Sequence, residues 1–179
     1  MSARNDDIRD RIRTIPDFPK PGIQFRDITT LLLDAEGLRL TIERMAEGVA
    51  GPIDLVAGIE ARGFLFCAAL AVRLGTGTLL IRKDGKLPGA TIAEDYALEY
   101  GTDRIAIHAD ACAPGARILL VDDLIATGGT ARAAVRLLRK AGAEVTQAAF
   151  VVDLPELGGA EALRGDGIAV NALVAFDGH

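Results

Sequence analysis

Ten residues carry most of the chemistry legible in this chain: Val121 to Thr130, VDDLIATGGT. A hydrophobic run meets two adjacent acids, then a loop of small residues, then a helical pattern. Ala126, Thr127, Gly128, Gly129 and Thr130 let a ligand approach the backbone closely. Their N–H groups lie at a helix N-terminus, where the dipole favours an anion. Thr127 and Thr130 add hydroxyl donors, so a phosphate monoester is the natural fit. Asp122 and Asp123 would repel a bare phosphate. They make sense if the phosphate is attached to a polyol whose hydroxyls they accept, and ribose 5-phosphate has that layout. The plainer alternative is a helix N-cap whose acids favour the dipole, which leaves the coincidence of two acids and two glycines unexplained.

Other phosphate motifs do not fit. Gly58 to Phe64 (GIEARGF) has the glycine spacing of a Walker A loop but phenylalanine in place of lysine. No G-x-G-x-x-G follows a strand, so a Rossmann dinucleotide site is unsupported. Two further clusters bear cations. Arg62 follows a strand end, where its planar fork would suit phosphate; otherwise it is a surface arginine paired with Glu60. Arg82, Lys83 and Lys86 share a loop with Gly85 and Gly89, a pattern that usually means a solvated basic loop.

Composition removes several classes. The only serine is Ser2, so a serine hydrolase is excluded. Two histidines and two cysteines are too few for a histidine-rich or four-cysteine metal site or a disulfide framework. Net charge is −5, which argues against binding nucleic acid through bulk positive charge. No apolar stretch is long enough for a membrane span, and MSARNDDIRDRIR has no signal-peptide core, so a cytoplasmic protein with reduced thiols is expected. The length, 179 residues, suits one domain.

The elements that must position these residues alternate. A short amphipathic helix is expected over Asn5 to Ile15, with Ile8, Ile12 and Ile15 on one face and Asn5 as its cap. Asp17 to Gly22 (DFPKPG) cannot be helix. Asp34 can cap a second helix carrying Leu38, Ile42, Met45 and Val49, ended by Gly51-Pro52. Strands are expected at Asp54 to Ala57, Thr78 to Ile81, Arg117 to Val121, Val145 to Val152 and Ala169 to Phe176. Helices are expected at Gly63 to Leu74 and about Gly129 to Ala141. This alternation implies an α/β fold: a central, mainly parallel sheet flanked by helices, binding its ligand at the carboxyl ends of the strands. Tyr96 to Tyr100 and Arg104 to His108, around Gly101-Thr102-Asp103, read instead as a hairpin, a candidate lid.

VDDLIATGGT resembles the 5-phosphoribosyl 1-diphosphate (PRPP) loop of type I phosphoribosyltransferases. FPKPGIQFRDITTLL (18–32), GIEARGFLF (58–66), RKDGKLPG (82–89) and LEYGTD (98–103) are similar, in order and spacing, to the adenine phosphoribosyltransferase family over nearly the whole chain. The resemblance implies that fold with an N-terminal hood, about residues 1–33, and an inserted lid hairpin, about 90–108. It implies AMP and pyrophosphate made from adenine and PRPP, with Mg²⁺ carried on PRPP rather than on the protein, and a homodimer. It assigns Phe25 and Leu124 to the two faces of adenine, and Arg26 to its edge, mainly through the backbone. Asp122 and Asp123 would hold the ribose, and residues 126–130 the 5′-phosphate. Arg62, Arg82, Lys83, Lys86 and Tyr100 would hold PRPP or pyrophosphate. Glu99 would be the acid/base, shut away from water by the lid; the alternative is a solvated glutamate on a strand's outer face. Asp84, Cys67 and Ile125 depart from the expected pattern without removing a group the chemistry needs.

Overall fold

In the computed structural model, the described residues are 5–98 and 101–178. Seven strands form the main sheet: β3 (Leu55–Ile59), β4 (Gly77–Lys83), β5 (Thr91–Leu98), β6 (Gly101–His108), β7 (Arg117–Ile125), β8 (Glu144–Asp153) and β9 (Ala169–Ala175). Their order is β5-β6-β4-β3-β7-β8-β9. β4, β3, β7, β8 and β9 are parallel, while β6 pairs antiparallel with β4 and β5. The parallel strands are apolar on both faces, as a sheet covered by helices requires: Ile118 to Val121 are all buried.

Helix α4 (Gly63–Leu74) carries the chain from β3 to β4, and α5 (Gly129–Lys140) carries it from β7 to β8 in the other direction along the sheet. The strand order therefore reverses between β3 and β7. In open α/β sheets the ligand crevice opens at such a switch point, beyond the carboxyl ends of the strands. Two cores flank the sheet. On the α4 side Phe66, Leu70 and Met45 pack with Leu119 and Val121; on the α5 side Leu137 and Leu138 pack with Leu120 and Phe150. Burying Phe66 or Phe150 fully is worth about 1.5–3 kcal/mol each.

Helix α3 (Ala35–Glu47) begins at Asp34, whose carboxylate accepts from the Gly37 N–H at 2.6 Å. It stops at Gly48, before the expected Gly51-Pro52, and Val49 packs against the core from outside it. A short helix α6 (Gly159–Gly165) follows a 3-10 turn, Pro155–Leu157, where the sequence pattern implies no element.

The N-terminal segment differs from the expected single helix. α1 (Asp6–Arg9) is one turn, and β1 (Arg13–Pro16) then pairs antiparallel with β2 (Gln24–Asp27). Thr14 and Ile15 are β-branched and Pro16 cannot continue a helix, so the strand partner wins. Asn5 makes no cap bond; its Nδ2 donates to the Leu173 carbonyl at 2.6 Å. β2 leads into α2 (Thr29–Leu33). The hairpin is fastened at its open end: the Asp27 carboxylate accepts from Arg13 Nε at 3.1 Å and from the Thr29 N–H at 2.9 Å. The Arg26 guanidinium lies 4.6 Å from the centre of the Phe176 ring and donates to the Asp177 carbonyl at 2.7 Å and to Thr14 Oγ1 at 2.6 Å.

The inserted hairpin is present, and its first arm starts at Thr91 rather than at Tyr96. Its base joins the main sheet through two register pairs, Arg82 with Ala106 and Lys83 with Ile105.

Candidate active site

The acids are strand residues, not loop residues. β7 runs on to Ile125 because β8 pairs with it as far as Ile125 with Asp153, whereas pairing with β3 ends at Gly58 with Val121. Asp122 and Asp123 thus project from β7 just past the point where β3 lets go. The loop after β3 faces them from across this gap. Arg62 Nε donates to Asp123 Oδ2, and Asp123 is only 6% exposed. Asp122 Oδ1 accepts from the Asp123 N–H at 2.9 Å. Burial, then the charge of Asp123, holds the Asp122 carboxyl well above the usual range. Its close neighbour is Gly63, where an added Cβ would stand 2.7 Å from Asp122 Oδ1.

Beyond β7 the chain turns through Ala126 to Gly128 into α5. Gly128, at φ 79°, occupies the left-handed region that glycine tolerates. A cavity of about 300 Å³ opens here. Its walls are the loop 126–130, the acids, Leu124, residues 60–62, Lys83 and Tyr96.

The basic loop reaches this cavity through Glu60. That carboxylate accepts from Arg82 Nε at 3.2 Å, Arg82 Nη2 at 3.1 Å and the Lys83 N–H at 2.9 Å. The Arg82 guanidinium holds the Glu60 carboxyl below its ordinary range. Arg82 also donates to the Lys86 carbonyl at 3.2 Å. Lys83 Nζ lies 3.2 Å from Asp103, whose carboxylate also accepts from the Tyr96 hydroxyl at 3.0 Å. The arrangement presents a floor of N–H groups and hydroxyls for an anion, two carboxylates for hydroxyls, and two cations, Arg62 and Lys83, on the opposite rim.

A model of the phosphoribosyl transferase domain matches residues 32–164. An adenine phosphoribosyltransferase of Erythrobacter litoralis is 60% identical, over 97% of this chain and 98% of that protein. One of Maricaulis maris is 58% identical, over 96% and 99%. The chain belongs to the adenine phosphoribosyltransferase family. Solved structures of the family agree. The enzyme of Thermoanaerobacter pseudethanolicus superposes with a TM-score of 0.91 at 47% identity, covering 96% of this chain and 99% of that one. The Saccharomyces cerevisiae enzyme, solved with adenine and an imino-altritol bisphosphate, gives 0.86 at 33% identity, covering 97% and 100%.

Against the pattern expected for the family, the cavity gathers Arg62, Lys83, Asp122, Asp123, Leu124 and residues 126–130. Arg62 is paired with Asp123 and not with Glu60, which is taken by Arg82. Arg82 and Lys86 do not line the cavity; Arg82 holds the wall residue Glu60, and Lys86 is exposed. Phe25 and Arg26 are in the hood: Phe25 meets the Phe18 ring edge-on at 5.1 Å between centres, and neither Phe25 nor Arg26 lines the cavity. Glu99 and Tyr100 lie outside the described residues. Two residues on or behind the wall carried no sequence signal. Tyr96 reads as an ordinary strand aromatic, and Gly63 as the first residue of an apolar helix.

Proposed function

We propose that this chain transfers the 5-phosphoribosyl group from PRPP to adenine, giving AMP and pyrophosphate. The observation that carries this reading is the pair Asp122 and Asp123 set end to end with the loop 126–130 in one cavity at the switch point of the sheet. A ribose 5-phosphate laid along it has its hydroxyls on the acids and its phosphate on the loop. Arg62 and Lys83 face the pyrophosphate, and Arg82, Lys86 and Tyr100 are assigned to the same group. Arg62 is paired with Asp123. When PRPP binds, its hydroxyls take over the carboxylate and its phosphates take the guanidinium.

The bond from ribose C1 to the pyrophosphate oxygen breaks, and the bond from C1 to adenine N9 forms. Positive charge builds on the ribose as pyrophosphate leaves, and the two carboxylates lower its cost. The N9 proton passes to Glu99 on the lid hairpin, which also excludes the water that would hydrolyse the sugar. Adenine sits between Phe25 and Leu124. The Arg26 side chain is already held by Thr14, Phe176 and Asp177, which leaves its main chain for the edge of the base. The cavity's hard oxygen donors fit a magnesium ion arriving on PRPP, which would spread the charge of the departing pyrophosphate.

A homodimer is supported by the exposed apolar residues Leu65 and Val72 of α4 and Leu80 of β4, with Val72 84% exposed. No helix among the described residues is long and apolar enough to cross a membrane, and we place the enzyme in the cytoplasm with both thiols reduced. The test is pyrophosphate release from PRPP and Mg²⁺ with adenine, hypoxanthine, guanine or no base. Release with adenine alone is expected. Release with hypoxanthine or guanine instead would overturn the hood assignments. No release with any base would overturn the reaction.

A further inference from the structure

The loop 126–130 does not rest on side chains alone. Gly159, the first residue of α6, meets it main chain to main chain. The Gly159 N–H donates to the Ala126 carbonyl at 3.0 Å. A Cβ added at Gly159 would stand 2.3 Å from that oxygen, 2.5 Å from the Gly128 nitrogen and 2.8 Å from the Thr127 carbonyl carbon. All three are loop backbone, so no rotamer change relieves the overlap. The contact is equally close from the other side, where a Cβ on Gly128 would stand 2.9 Å from Gly159 Cα. α6 has no room to retreat. Ala160 and Leu163 are buried in the core on the α5 side, and Asp166, just past the helix, accepts from Arg132 Nε of α5 at 2.6 Å.

We infer that Gly159 is a positioning residue for the 5′-phosphate. It touches no substrate. It fixes the level at which the loop N–H groups lie, and only a residue without a side chain lets the loop sit that low. The inference rests on the proposed reading of 126–130 as the phosphate seat. An ordinary contact begins near 3.4 Å, so alanine at 159 must push the Ala126 oxygen back by about 1 Å. That exceeds the latitude of a hydrogen bond, and a displacement of this size costs on the order of 10- to 100-fold in binding.

The test compares wild type, Gly159→Ala and Gly165→Ala. Gly165 ends the same helix in open space, with a φ that suits alanine. Ribose 5-phosphate binding is measured by calorimetry, and the KM for adenine at saturating PRPP by steady-state kinetics. Gly159→Ala is expected to bind ribose 5-phosphate 10- to 100-fold more weakly with the adenine KM within about two-fold of wild type, and Gly165→Ala to match wild type in both. Binding of ribose 5-phosphate by Gly159→Ala within two-fold of wild type overturns the inference and leaves the seat intact. Failure of wild type to bind it overturns the seat, and the inference with it. Should Gly159→Ala not fold, amide hydrogen exchange on wild type decides. Ribose 5-phosphate is expected to slow exchange of the Gly159 amide in step with the amides of residues 127–130; slowing of the loop alone overturns the inference.

Discussion

Gly63→Ala is the smallest change that reaches the ribose acids without altering either. The added methyl would stand 2.7 Å from Asp122 Oδ1 and 3.1 Å from the Val121 carbonyl oxygen. The carboxylate is not free to swing aside, because Oδ1 accepts from the Asp123 N–H at 2.9 Å. Reaching an ordinary 3.4 Å contact requires a shift of about 0.7 Å. Overpacking of this kind costs about 1–3 kcal/mol. Alanine in a helix recovers about 0.5–1 kcal/mol relative to glycine. The net loss is at most about 2.5 kcal/mol, a fall in Tm of up to about 10 °C for a chain of this length. The kinetic effect is larger on the reading proposed above, in which the displaced group meets the ribose: kcat/KM for PRPP falls about 10- to 100-fold. Pyrophosphate release at varied PRPP gives the kinetic number and calorimetry the Tm. The decisive comparison is a double-mutant cycle with Asp122→Ala, which removes the oxygen that the methyl meets. In that background Gly63→Ala costs about 1 kcal/mol less stability than in wild type. Additive effects, or a Gly63→Ala enzyme with wild-type kcat/KM, would refute the proposed packing of the helix on the acid.

Other perturbations address the hood, the lid and the thiols. Asp27 is held down to about 2, first by its hydrogen bond from Arg13, and its side chain is 9% exposed. A lowered carboxyl stabilises the fold above its unfolded value near 4 and loses that contribution as pH falls toward 2. Arg13 is 56% exposed, so solvent screening limits the gain to about 1–2 kcal/mol. The stability gap between wild type and Asp27→Asn in urea should therefore shrink from pH 5 to pH 2.5; a constant gap would count against the pairing. Glu99→Gln should lower kcat about 10²- to 10⁴-fold while leaving ribose 5-phosphate binding unchanged, and a kcat within three-fold of wild type removes Glu99 from the chemistry. Burial pushes the Cys67 thiol up to about 11, whereas Cys112 is only partly buried. Iodoacetamide at pH 8 should label Cys112 in the native protein and Cys67 only after unfolding, and mass spectrometry showing Cys67 labelled first would contradict the packing.

The turn 126–130 between a strand and a helix was legible because its information is local. Five consecutive small residues after an apolar run and before a helical pattern need no tertiary partner to be recognised. The helix Gly63 to Leu74 was legible for the same reason, being apolar almost all round with a glycine at its end. The hood hairpin was not: Ile8, Ile12 and Ile15 carry a helical spacing, and only the partner strand Gln24 to Asp27 turns the second half of that segment into a strand. The extension of β7 through Asp122 and Asp123 depends on the length of β8, which lies downstream in the chain. Gly63 and Gly159 look like any other helix-starting glycines. Their roles exist only in contacts with residues 59 and 33 positions away, beyond the reach of any periodicity.

The unequal pairing of β7 has a consequence for how such a chain tolerates change. Up to Val121 the strand is gripped on both edges, by β3 and by β8; from Asp122 on, only β8 holds it. Substitutions in the first stretch should register as shifts in melting temperature with turnover preserved, and substitutions in the second as shifts in turnover with melting temperature less affected, except at Ile125, which is buried in the core on the α5 side. A single strand thereby separates the part of the molecule that keeps it folded from the part open to selection for new chemistry. The border between them falls between two adjacent residues, Val121 and Asp122.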